Sequence, residues 1–258
     1  IIIINPSFYD AYYNLGIIFK KNNEISKSID YFEKCINLNS NKYEAYNIIG
    51  NIYKDKQQTD RAITHYLKCL EINPNYLIAL QNFGVCLQNY EFSKYSNLSE
   101  KYILKLLEKN KILRPVDVVN NLIKFIYLNS EHKEIIKKLN KYKNSYSLNQ
   151  LINKFLNIKI LISLLKLTPI TDLEIEIALK NLRYQILMNI SSINNFEGTL
   201  KLIKLIASQC FINEYIYPIT SEEKMKIEDI DKELNKQLSN TNLHKFVLKI
   251  SCLAAYKS

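Results

Sequence analysis

Apolar residues return every three or four positions from Tyr9 to Tyr256, and strict two-residue alternation is almost absent, so the chain predicts helices throughout. Three Ser/Thr-x-x-Glu/Gln strings mark helix starts, at Ser147 to Gln150, Thr171 to Glu174 and Thr220 to Glu223. Pro115, Pro169 and Pro218 punctuate the same half. Within 171–190 a stripe of Leu173, Ile177, Leu182 and Ile186 predicts the buried face, with Lys180 and Arg183 off it.

The first hundred residues carry a second, longer period. Gly16, Gly50 and Gly84 stand 34 residues apart, and their neighbours keep the same register: Ala11, Ala45 and Ala79; Tyr12, Tyr46 and Leu80; Leu15, Ile49 and Phe83; Phe19, Tyr53 and Leu87. The second half of each unit repeats less strictly, with Ser28 and Ala62 at a small position, then Phe32 and Tyr66, then Cys35 and Cys69. Pro6 and Pro74 close units, and Ser40 stands in the corresponding middle place. Small residues let antiparallel helices approach, and large ones fill the gap between hairpins.

These columns resemble the tetratricopeptide repeat, whose pattern W-x-x-L-G-x-x-Y is met here with aromatic and aliphatic substitutes. The resemblance implies helical hairpins stacked into a right-handed superhelix, because one such hairpin cannot bury its apolar stripe alone. Repeats are expected at 9–42 and 43–76, with a degenerate third from Leu77 whose second helix is displaced by the segment NYEFSKYSNL at 89–98. The expected fold class is therefore all-α: a repeat array over 1–110, then an irregular helical accessory or linking domain over 111–258.

In such arrays the first helix of each hairpin lines the concave face. The resemblance places Asp10, Tyr13, Ile17 and Lys20 there, then Glu44, Asn47, Asn51 and Lys54, then Ile78, Gln81, Val85 and Gln88. This mixed, amide-rich lining suits a protein or peptide ligand held by its main chain. Repeats that clamp a terminal carboxylate carry Lys and Asn where Tyr13 and Ile17 stand, so that specialisation is disfavoured. An asparagine ladder, known from protein O-glycosyltransferases, is matched at Asn14 and Asn82 but broken at Ile48.

Composition adjusts this picture only slightly. The net charge of +10 is concentrated at 111–170, where 11 basic residues face 3 acidic ones, yet the chain has three arginines among 35 basic residues. Nucleic-acid readers favour arginine interleaved with exposed aromatics, so a solvated lysine face is the preferred reading. Cys35, Cys69, Cys86, Cys210 and Cys252 form no C-x-x-C pair, and His65, His132 and His244 are isolated, so no metal site and reduced, buried thiols are expected. The most apolar stretch, 151–167, is broken by Lys154, Lys159 and Lys166, so no membrane span and a cytoplasmic location are expected. Ile1 to Ile4 reads as the last turn of an interrupted helix and the first methionine is Met188, which suggests a fragment.

The string from Gln209 to Tyr215 contains Cys210 and Glu214, but no histidine lies beside them and the context is apolar, which argues against catalysis. Together with Arg114-Pro115, Thr220-x-x-Glu223 and the closing Cys252 to Tyr256, this string resembles the helical region of microbial tetratricopeptide-repeat proteins that continue into a class I S-adenosylmethionine-dependent methyltransferase. The resemblance implies a recruiting and linking role beside a catalytic domain beyond Ser258. That cofactor needs a glycine-rich turn between strand and helix. Gly198 alone lies outside the repeats, without a preceding strand, so no cofactor and no enzyme activity are expected of this chain.

Overall fold

The computed structural model describes residues 5–109, 112–141, 148–212, 219–236, 247 and 249–251. Among them every regular element is helical. The chain divides into two compact units, one comprising 1–91 and 96–114, the other 92–95 and 115–258.

The first unit is built from helix pairs: α1 (Tyr9–Lys21) with α2 (Ile25–Leu38), α3 (Tyr43–Asp55) with α4 (Thr59–Ile72), and α5 (Leu77–Leu87) with α6 (Asn97–Glu108). The expected helical hairpins are present. The glycine column sets their closeness. A Cβ on Gly16 would meet the Phe32 ring at 2.8 Å, and one on Gly50 the Tyr66 ring at 2.6 Å, so each helix crosses its partner through a ring seated on bare backbone. Ser28 adds a hydrogen bond there, its hydroxyl donating to the Gly16 carbonyl at 2.8 Å. Asn23 and Gln57, at equivalent turns between paired helices, both take left-handed backbone, with φ of 63° and 59°.

The third pair departs from this pattern. Its second helix begins at Asn97, whereas the 16-residue offset between paired starts in the first two hairpins would place it at Ser93. Gly84 faces Leu106 at 3.2 Å in place of a ring. The Tyr102 hydroxyl donates to the Leu70 carbonyl, tying α6 to the preceding hairpin. Ser96 caps α6, accepting from the Ser99 amide.

The second unit comprises α7 (Pro115–Leu128), α8 (Ser130–Asn140), α9 (Leu148–Leu156), α10 (Lys159–Leu167), α11 (Leu173–Met188), a short 3-10 turn at Ile190–Ser192, α12 (Phe196–Ile212) and α13 (Ser221–Lys236). Pro115 occupies the first turn of α7, where its missing amide costs nothing. Phe92 and Tyr95 belong to this unit and set their rings 4.6 and 5.0 Å from Phe125, giving the inserted segment a packing role.

Two local expectations need correction. The cap of α11 is Asp172, which accepts from the Ile175 amide at 3.0 Å, and Thr171 is exposed. The buried face of α11 is Ile175, Ala178, Leu179, Leu182, Arg183, Ile186 and Leu187, while Leu173 is 69% exposed and Ile177 is also exposed. The expected stripe holds at Leu182 and Ile186 but not at Leu173 and Ile177, and Arg183, expected off it, lies on the buried face. Its guanidinium is buried against Glu223 at 3.3 Å, so a charge occupies an apolar-looking face. The Thr220 box is present: the Glu223 carboxylate accepts from the Thr220 amide at 2.7 Å, and the Thr220 hydroxyl accepts from the Glu223 amide at 3.2 Å. Ser147 lies outside the described residues, as do Ile1 to Ile4, Pro218, His244 and Cys252 to Tyr256.

Candidate peptide-binding face of the hairpins

The expected face follows the first helix of each hairpin, and the structure gives its residues unequal parts. On α1, Asp10 is half-buried and paired with Lys42, Nζ to Oδ1 3.3 Å. The Lys42 ammonium also lies 4.8 Å over the Tyr13 ring. Tyr13 meets Phe32 edge-on at 5.6 Å, and with Ile17 it packs on the cluster of Phe32, Ala45, Ile49 and Ile52. Burial, then the Glu44 carboxylate, push the Tyr13 hydroxyl above its ordinary value, so it stays a neutral donor and acceptor. Lys20 is half-buried at the far end of α1.

On α3 the two asparagines form part of a network. Asn47 is only 5% exposed. The Asn82 side-chain amide of α5 donates to Asn47 Oδ1 at 3.2 Å and to Asn51 Oδ1 at 3.0 Å. The Tyr66 hydroxyl donates to the same Asn51 oxygen at 2.8 Å. Both carbonyl oxygens are thereby engaged within the protein, which fixes the amide planes. Glu44 and Lys54 flank these asparagines, half-buried.

On α5 the face is open. Gln81 and Gln88 are exposed, and between and beside them Ile78 and Val85 are 50% and 56% exposed. The result is a face whose middle is a fixed amide network and whose α5 edge exposes apolar side chains. Of the two asparagines that match the broken ladder, Asn14 is exposed and Asn82 is the bridge.

Sequence reasoning missed Lys42 as a member of this face and Tyr66 as the buried support of Asn51. Lys42 closes a unit, where no lining position is expected. Tyr66 is fully buried, and its hydroxyl reaches Asn51 from within the protein.

The cysteines of this unit are structural filling. Cys35, Cys69 and Cys86 are buried and unpaired, and burial pushes the Cys35 and Cys69 thiols up to about 11 and about 12. The thiolate is the nucleophile and the metal ligand, so neutral thiols suit neither role. The side chain of Cys210, and residues Asn213 to Tyr215, lie outside the described residues. Gln209 of the same string is a buried clamp: its amide donates to the Leu165 and Thr168 carbonyls at 2.8 and 3.0 Å and accepts from the Ile170 amide at 3.1 Å. No helix among the described residues is long and apolar enough to cross a membrane.

Comparison with known proteins agrees with the hairpin geometry. The tetratricopeptide repeat family matches residues 9–42 and 43–76, which are the two regular hairpins. These repeats generally mediate protein–protein interaction and are typically non-catalytic. A search of curated proteins found no match.

Proposed function

We propose that the chain is a protein-binding scaffold, and that it holds an extended peptide of its partner along α1, α3 and α5. The fixed amides of Asn47 and Asn51 carry this reading. With both oxygens held by Asn82 and Tyr66, what the pair can offer a ligand is N–H donation, and the groups that repeat along any peptide to accept it are main-chain carbonyls. Ile78 and Val85 then supply apolar contact for side chains, and Gln81 and Gln88 adaptable hydrogen bonds.

The test uses a peptide selected on the full chain from a displayed library. Gln81→Ala combined with Val85→Asp changes two exposed positions, so the fold is retained. Calorimetric titration is expected to show at least about a tenfold loss of affinity. Unchanged affinity would move recognition off this face.

A second reading makes this region the recruiting part of an S-adenosylmethionine-dependent methyltransferase, with its catalytic domain beyond Ser258. It rests on the short strings of sequence resemblance. Two of those strings have structural duties in this chain, Gln209 as a clamp and Thr220 with Glu223 as a helix cap, which weakens them as signs of kinship. Sequencing the source transcript downstream of Ser258 decides it: an in-frame glycine-rich strand–helix domain supports this reading, and a stop codon removes it.

A further inference from the structure

Three columns of the repeat bury completely wherever a hairpin precedes them. Ala45, Ile49 and Ile52 on α3 are at most 2% exposed, and Ala79, Phe83 and Cys86 on α5 at most 7%. The same columns on α1 hold Ala11, Leu15 and Ile18. These residues are equally apolar, but Ala11 and Leu15 are only half-buried and Ile18 is 50% exposed. A hairpin that ends a stack needs a polar outer face to remain soluble, and α1 lacks one at these positions.

A second observation says what covers the face. Ahead of α3, the Asn39 side chain accepts from the Asn41 amide at 3.0 Å and the Asn39 carbonyl accepts from the Lys42 amide at 3.2 Å. Ahead of α5, Asn73 repeats both bonds, with the Asn75 amide at 3.2 Å and the Tyr76 amide at 3.1 Å. Ahead of α1, Asn5 makes the same pair, with the Ser7 amide at 3.1 Å and the Phe8 amide at 3.2 Å. In the first two cases this turn connects the second helix of one hairpin to the first helix of the next.

We infer that the face of α1 carrying Ala11, Leu15 and Ile18 is an inter-repeat interface, and that its occupant is the second helix of a further tetratricopeptide hairpin leading into Asn5. The face lies off the peptide-binding rows, so this inference stands or falls separately from the proposed function.

The experiment extends the full chain in frame at Ile1 with a copy of residues 35–68, which restores the 34-residue register. A control carries two extra residues at the junction. Ile18→Cys is introduced in the unextended chain, the extension and the control, and alkylation is read by mass spectrometry on the peptide containing position 18. The inference expects labelling to slow at least about tenfold in the in-register extension alone, with the melting temperature rising by about 5 °C. Equal labelling in all three would overturn it. Labelling of the unextended chain that slows as its concentration rises would also overturn it, assigning the face to a second copy.

Discussion

Gly50 is conspicuous in sequence because it recurs, and the structure supplies the reason, a tyrosine ring 2.6 Å from where a Cβ would stand. Gly50→Ala is expected to destabilise by about 1–3 kcal/mol through overpacking, despite the better helix propensity of alanine. At Gly84 the neighbour is the end of a leucine side chain at 3.2 Å, so Gly84→Ala is expected to stay within about 1 kcal/mol of the parent. Chemical denaturation of the two variants checks the contrast. His65 gives a pH prediction. Burial, with Arg61 adding, holds its imidazole below the usual histidine value, while the ring stacks on Tyr53 at 5.4 Å. A folded-state pKa below the unfolded one means that the unfolded chain takes the proton more readily. The contribution is therefore complete above about pH 6.5 and lost as pH falls. His65→Phe keeps the stack and removes the proton site, so its melting temperature is expected to fall less between pH 7 and pH 5 than that of the parent.

At the scale of elements, repetition made the first hundred residues legible. Four columns agreeing across three units located α1, α3 and α5, and the delayed start of α6 was visible as ten residues standing where a short turn belongs. A single helix offers no such redundancy, and α11 shows the consequence. Its apolar spacing allowed two phases, and the true one buries Arg183, which sequence reasoning assigns to solvent. The partner that permits this, Glu223, lies forty residues away and also caps α13. Arg183→Met should leave that carboxylate buried without its guanidinium, at a cost of about 3–5 kcal/mol measured by thermal or chemical unfolding. Glu223→Gln is expected to cost less, because the amide oxygen can still accept at the α13 cap. The candidate site was legible as a set of positions, but its division of labour was not. Spacing places Asn47 and Asn51 on one face, yet only the fold brings Asn82 within 3.2 Å of both and commits their oxygens.

At the scale of the whole molecule, the two compact units have different grammars: a hairpin stack that sequence periodicity announces, and a bundle held by particular contacts such as the Gln209 clamp and the Tyr127 hydroxyl on Asp172 at 2.6 Å. Net charge is concentrated in the second unit, whereas on the proposed binding face in the first Asp10 and Glu44 offset Lys20, Lys42 and Lys54, and the proposed contacts are made by amides and apolar side chains. Peptide affinity is therefore expected to change less than about threefold between 50 and 500 mM salt, which titration at both salts checks. The most direct measurement of the central claim is hydrogen exchange across the full chain with and without the selected peptide. A peptide held as proposed should slow exchange in α3 and α5, with the Asn47 and Asn51 side-chain amides shifted in NMR spectra. Protection confined to α2 and α4, or to residues 115–251, would contradict it.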